Sequence, residues 1–98
     1  MSDQTLPALE ALRHQLDGVD DALLRLFVRR MELVEKISAS KQQGGLPVRD
    51  PVREAQQLAA AAKVGGTGFA KETACLMEQM LAISREYQRK QAAPTDIP

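Results

Sequence analysis

Between Pro7 and Gly44 the chain contains no proline and a single glycine, Gly18. Apolar residues fall at Leu9, Leu12, Leu16, Val19, Leu23, Leu26, Leu33 and Ile37. This alternating three-and-four spacing is the seam of a helix that packs along its length. Only Arg30 breaks it. A second stripe of Leu24, Phe27, Met31 and Val34 runs beside the first, so the apolar face is wide enough for two neighbours. Gly18 weakens the helix by about 1 kcal/mol relative to Ala, too little to divide it. A helix over 7–43 is roughly 55 Å long at about 1.5 Å per residue. A compact chain of 98 residues has a radius of gyration of only about 13 Å. So long a rod predicts a homodimer in which the seam is buried against a second copy.

The rest of the chain is punctuated at Gly44-Gly45-Leu46-Pro47, at Pro51 and at Gly65-Gly66-Thr67-Gly68. Asp50 is a side-chain cap, and Pro51 suits the first helical position, where a missing N–H is harmless. A second helix is predicted over 51–64, with Val52, Ala55, Leu58, Ala59 and Ala62 on one face. A third follows over 69–91, with Leu76, Met77, Met80, Leu81, Ile83 and Tyr87 on its apolar side. The expectation is a single all-α domain over 1–98, three helices per chain intertwined as a dimeric bundle, with a disordered tail over 92–98.

Thirteen basic and thirteen acidic side chains give a formal charge of zero, and no block of like charge forms a basic face. That excludes the counterion-releasing surface nucleic-acid binding requires, and no apolar run approaches a membrane span. A lone Cys75 and an N-terminus without an export signal point to the cytoplasm. His14, Cys75 and Tyr87 lack partners at ligand or nucleophile spacing, so neither metal nor cofactor is expected.

An apolar helical core makes its polar exceptions informative. Arg30 occupies a seam position, as a cation snorkelling to the rim or as an anion receptor in a dry pocket. Lys41 lies eleven residues on and close to the same angular position, where it either compensates the helix dipole or faces the same cavity. Ser84 and Gln88 extend the line of Met77 and Leu81, as a pocket wall or as a stripe fading into solvent. Asp50, Arg53 and Glu54 open the second helix, where on pattern alone they read as a cap with dipole and surface charges. Arg29 and Arg49 read as solvated.

Taken in order, Leu12-Arg13, Arg30, Lys41, Pro47-Val48-Arg49-Asp50, Arg53-Glu54 and Ile83-Ser84 with Gln88 four residues on resemble the all-helical, AroQ-type chorismate mutases. The resemblance runs from about Leu9 to Gln88, and its specificity lies in the order and spacing of the whole set. The second helix and its glycine exit look about two residues shorter than in some relatives. The early end of the chain suggests a monofunctional mutase.

The resemblance implies an intertwined dimer and the Claisen rearrangement of chorismate to prephenate, in phenylalanine and tyrosine biosynthesis. Such a step moves no proton and forms no covalent intermediate. Arg13 and Arg30 would clamp the two carboxylates, with Ser84 and Arg53 assisting. Lys41 and Gln88 would donate to the ether oxygen, where negative charge develops. Glu54, with the backbone near Asp50, would receive the ring hydroxyl. Arg13 lies about 42 Å from Lys41 along one helix, so it would be lent by the partner subunit. Isochorismate pyruvate lyase and 4-amino-4-deoxychorismate mutase on the same scaffold are the nearest alternatives. A non-catalytic dimerisation module is the alternative of another class.

Overall fold

The computed structural model describes residues 5–92, and these are helical apart from one connection. Helix α1 spans Thr5–Gln43 and α2 spans Pro51–Ala92. The N-terminal residues 1–4 and residues 93–98 of the expected tail lie outside the described residues, while Ala92 still belongs to α2.

The glycine pair ends α1 through a specific hydrogen-bond pattern. Gly45 adopts φ 65°, its N–H donates to the Gln42 carbonyl at 3.3 Å, and the Leu46 N–H donates to the Lys41 carbonyl at 2.8 Å. These are the two bonds of a Schellman cap, whose left-handed residue favours glycine. At the start of α2, the Asp50 carboxylate accepts the Arg53 N–H at 3.1 Å. The Asp50 carbonyl accepts the Glu54 N–H at 3.0 Å. Asp50 is thus the cap and Pro51 the first helical residue, as their types dictate.

α2 comprises two helical stretches that meet at a kink, with non-helical backbone at Gly66 (φ 63°, ψ −151°) and Phe69 (φ −132°, ψ 22°), where the sequence suggests a glycine exit. The Gly66 conformation is essentially confined to glycine, which lets the chain turn sharply within a few residues. Gly65 allows the close approach that follows, since a Cβ there would stand 2.7 Å from the Ala70 nitrogen. Thr73 Oγ1 donates to the Ala61 carbonyl at 2.6 Å. In a straight helix those twelve positions span about 18 Å. The element therefore doubles back, bringing its last turns to its first.

The chain divides into two compact units between Leu33 and Val34. In the first, no described residue is buried, and the apolar seam is open, with Leu12 61% and Leu26 67% exposed. An isolated helix cannot bury its own side chains. In the second, Val34, Ala61 and Leu81 are buried together with three polar residues, Ser38, Ser84 and Gln88. Among the described residues no helix is long and apolar enough to cross a membrane.

Candidate active site

The second unit draws its polar residues from three places in the sequence. Lys41 stands in the last turn of α1, half-buried, where the glycine cap turns the chain back toward it. Its ammonium donates to the Val48 carbonyl at 2.6 Å and to Gln88 Oε1 at 3.1 Å. Gln88 is 6% exposed and Ser84, one turn earlier, 4%. Their stripe therefore continues into the interior and does not fade into solvent. The Ser84 hydroxyl donates to the Met80 carbonyl of its own helix at 2.8 Å, a bond that fixes its rotamer.

Glu54, in the first turn of α2, is mostly covered. Its Oε1 accepts a hydrogen bond from Arg85 Nη1 at 2.6 Å, and Arg49 Nε stands 3.8 Å from the same oxygen. Beside it, Asp50 is engaged as the cap through its carboxylate, and the exposed Arg53 contributes its backbone N–H to that cap. The fold thus gathers Lys41, Gln88 and Ser84, and it brings Glu54 to Arg85.

Arg13 and Arg30 belong to the first unit. Arg13 Nη1 lies 2.7 Å from Glu10 Oε1, an exposed pair one helical turn apart of a kind worth little to stability. Arg30 is half-buried, and burial lowers its pKa from the ordinary arginine value. A guanidinium remains charged under such a shift.

Arg85 and Ser38 were not anticipated. Ser38 is 2% exposed and accepts a hydrogen bond from Gln42 Nε2 at 3.2 Å. Its signal was present: Leu24, Phe27, Met31 and Val34 step by three and four, and Ser38 is the next position, a polar residue in an apolar stripe just like Arg30. Arg85 carried none. It lies off the Met77 to Gln88 line, and its partner is visible only once α2 has doubled back.

Next to Gln88, Tyr87 is tied into the structure. Gln91 Nε2 donates to its hydroxyl at 3.1 Å. Burial first, then the charge of Glu35 and a hydrogen bond to it, raises the Tyr87 phenol above its ordinary value. Among the described residues no three His, Cys, Asp or Glu side chains cluster as metal ligands.

Chemically, an ammonium and a carboxamide in contact form a pair of donors set in a largely covered place. The Gln88 carbonyl accepts from Lys41, and its amide nitrogen carries two further donor hydrogens. Such a pair suits an oxygen that gains negative charge during a reaction.

The chain matches the family described as chorismate mutase type II over residues 12–89. It is 49% identical over 55 residues to the T-protein of Enterobacter agglomerans, a match covering 56% of this chain and 15% of that protein. The T-protein of Haemophilus influenzae is 42% identical over 55 residues, with the same coverage of 56% and 15%. The chorismate mutase of Methanocaldococcus jannaschii is 35% identical over 46 residues, covering 47% of this chain and 46% of that protein. These matches thus span less than half the length of each relative. No solved structure matches the chain significantly.

Proposed function

The chain belongs to the chorismate mutase type II family, and from that membership we propose that it catalyses the Claisen rearrangement of chorismate to prephenate, as an isomerase of aromatic amino-acid biosynthesis. In this reaction the C–O bond of the enolpyruvyl ether breaks as a C–C bond forms, with no proton or electron leaving the substrate. The enzyme's task is to hold a reactive conformation and to stabilise charge on the ether oxygen.

The observation that carries the reading is the contact between Lys41 Nζ and Gln88 Oε1 at 3.1 Å. It joins the two residues proposed to donate to that oxygen. Lys41 supplies the cation and Gln88 an amide N–H, both strongest where water is scarce. Glu54 accepts the ring hydroxyl, with the backbone near Asp50. Arg30, Arg53 and Ser84 bind carboxylate oxygens, Arg as a planar two-pronged donor.

Arg13 acts in the partner's site within a homodimer of three-helix chains. The exposed seam of Leu9, Leu12, Leu16, Val19, Leu23 and Leu26 supports that assembly, because so continuous an apolar face is unusual on a monomer. The site works in the cytoplasm without metal or cofactor. Following the loss of chorismate absorbance by the purified chain, with chromatographic identification of the product, tests the proposal. Prephenate at a rate proportional to enzyme supports it; unchanged chorismate, or release of pyruvate, overturns it.

A further inference from the structure

We propose that Arg85 is a specificity-determining residue that acts through Glu54, setting the site to accept a hydroxyl at ring C4 and to refuse an ammonium there. The inference rests on the mutase reading above.

A carboxylate alone cannot make this distinction. It accepts a hydrogen bond from a hydroxyl or from an ammonium, and simple electrostatics favours the ammonium. In this chain Glu54 does not stand alone. Arg85 Nη1 contacts its Oε1 at 2.6 Å, and the two side chains are only 17% and 14% exposed. Arg49 adds a second guanidinium, 3.8 Å from the same oxygen. Glu54 therefore already faces two cations before substrate arrives, and the cover of Glu54 and Arg85 limits the screening of their pair by salt.

A ring hydroxyl brings no net charge and needs only a lone pair. Both cations address Oε1, and among the described residues no hydrogen bond is assigned to Oε2, the oxygen that can receive the hydroxyl proton. A ring ammonium would gain one opposite charge at Glu54 and meet a like charge at Arg85. Specificity then comes from a repulsive element placed against the competing substrate. Arg85 is also three residues before Gln88 on the same helix, so the contact that tunes Glu54 and the donor for the ether oxygen are carried by one rigid element.

The test compares kcat/KM for chorismate and for 4-amino-4-deoxychorismate in the full chain and in Arg85→Gln and Arg85→Lys. The ratio within one preparation cancels the active fraction, so partial misfolding cannot imitate the effect. Arg85→Gln lowers the preference for chorismate by about tenfold or more, chiefly through KM. Arg85→Lys, which keeps a cation, stays within about threefold of the parent. An unchanged ratio in Arg85→Gln, or equal losses on both substrates, overturns the inference, and so does an Arg85→Lys ratio that falls as far as that of Arg85→Gln. A parent chain that turns over neither substrate overturns the mutase reading and this inference with it, whereas parental turnover with an unaltered ratio overturns the role of Arg85 alone.

Discussion

Lys41 and Gln88, 47 positions apart in the chain, share a hydrogen bond of 3.1 Å. Two local devices bring them together. The Schellman cap at Gly45 turns the backbone so that the Val48 carbonyl meets the Lys41 ammonium at 2.6 Å. The reversal at Gly66 returns the second helical stretch of α2 to the start of the first. Two glycine conformations thus account for the meeting of two donors.

Lys41→Ala removes the cation of this pair. Turnover of chorismate is expected to fall by at least a hundredfold, or about 3 kcal/mol of barrier. The lost bond to Val48 lowers stability by only about 1 kcal/mol, leaving the helices intact. Kinetics of chorismate loss beside circular dichroism checks both. A variant with near-parental kcat removes Lys41 from the chemistry.

Gln88→Glu is expected to make the enzyme depend on acid. Only the protonated carboxyl can donate to the ether oxygen, and the carboxylate repels the charge that develops there. Activity therefore rises in acid, where the introduced carboxyl is protonated, and stays low at neutrality. A pH profile parallel to the parent's excludes Gln88 from the reaction.

Three glycines predict opposite effects of one methyl group. Gly66→Ala is destabilising by about 1–3 kcal/mol, because its backbone conformation is not open to alanine. Gly65→Ala also destabilises, since the Cβ would stand 2.7 Å from the Ala70 nitrogen. Gly18, where a Cβ meets nothing within 4 Å, gains about 1 kcal/mol from the helix propensity of alanine. Urea midpoints of the three variants give the order directly. Stabilisation by Gly66→Ala would refute the account of the reversal.

The long first helix was legible because spacing and the lack of breakers act locally. So were the Asp50 cap and the glycine stop, which depend on neighbours a few residues away. Arg85 was not legible, because its meaning depends on Glu54, 31 residues earlier, and on where a helix folds back. The kink that parts the two helical stretches of α2 is legible in Gly65-Gly66-Thr67-Gly68, because glycine alone readily adopts the backbone found at Gly66. Ser84 and Gln88 were visible as polar residues on an apolar line, but only tertiary packing decides between interior and solvent.

The Tyr87 phenol is raised by burial and then by Glu35, so the folded state favours the neutral form. Its contribution to stability is complete below about pH 10, the ordinary tyrosine value, and is lost as pH rises through the higher folded value. Tyr87→Phe removes this dependence. Unfolding free energies of parent and variant are expected to differ most at neutral pH and to converge in strong alkali. A constant difference from about pH 8 to about pH 11.5 would sink the assignment, and tyrosine absorbance reads the titration independently because the chain has one tyrosine.

The proposed sharing of the site between two subunits admits a test by subunit mixing. Arg13→Ala and Lys41→Ala chains, each inactive alone, are coexpressed so that half of the dimers are mixed. In a mixed dimer one site takes Lys41 from the first chain and Arg13 from the second, and it is intact. The other site lacks both. Random pairing should restore about a quarter of parental activity per chain. The control pairs Lys41→Ala with Gln88→Ala. Those residues touch within one chain, so every site in a mixed dimer carries one lesion and no rescue is possible. Purified mixed dimers, with one intact site of two and so about half of parental activity per chain, are assayed for chorismate loss beside both homodimers. Rescue in both combinations, or in neither, excludes a site that borrows Arg13 from its partner.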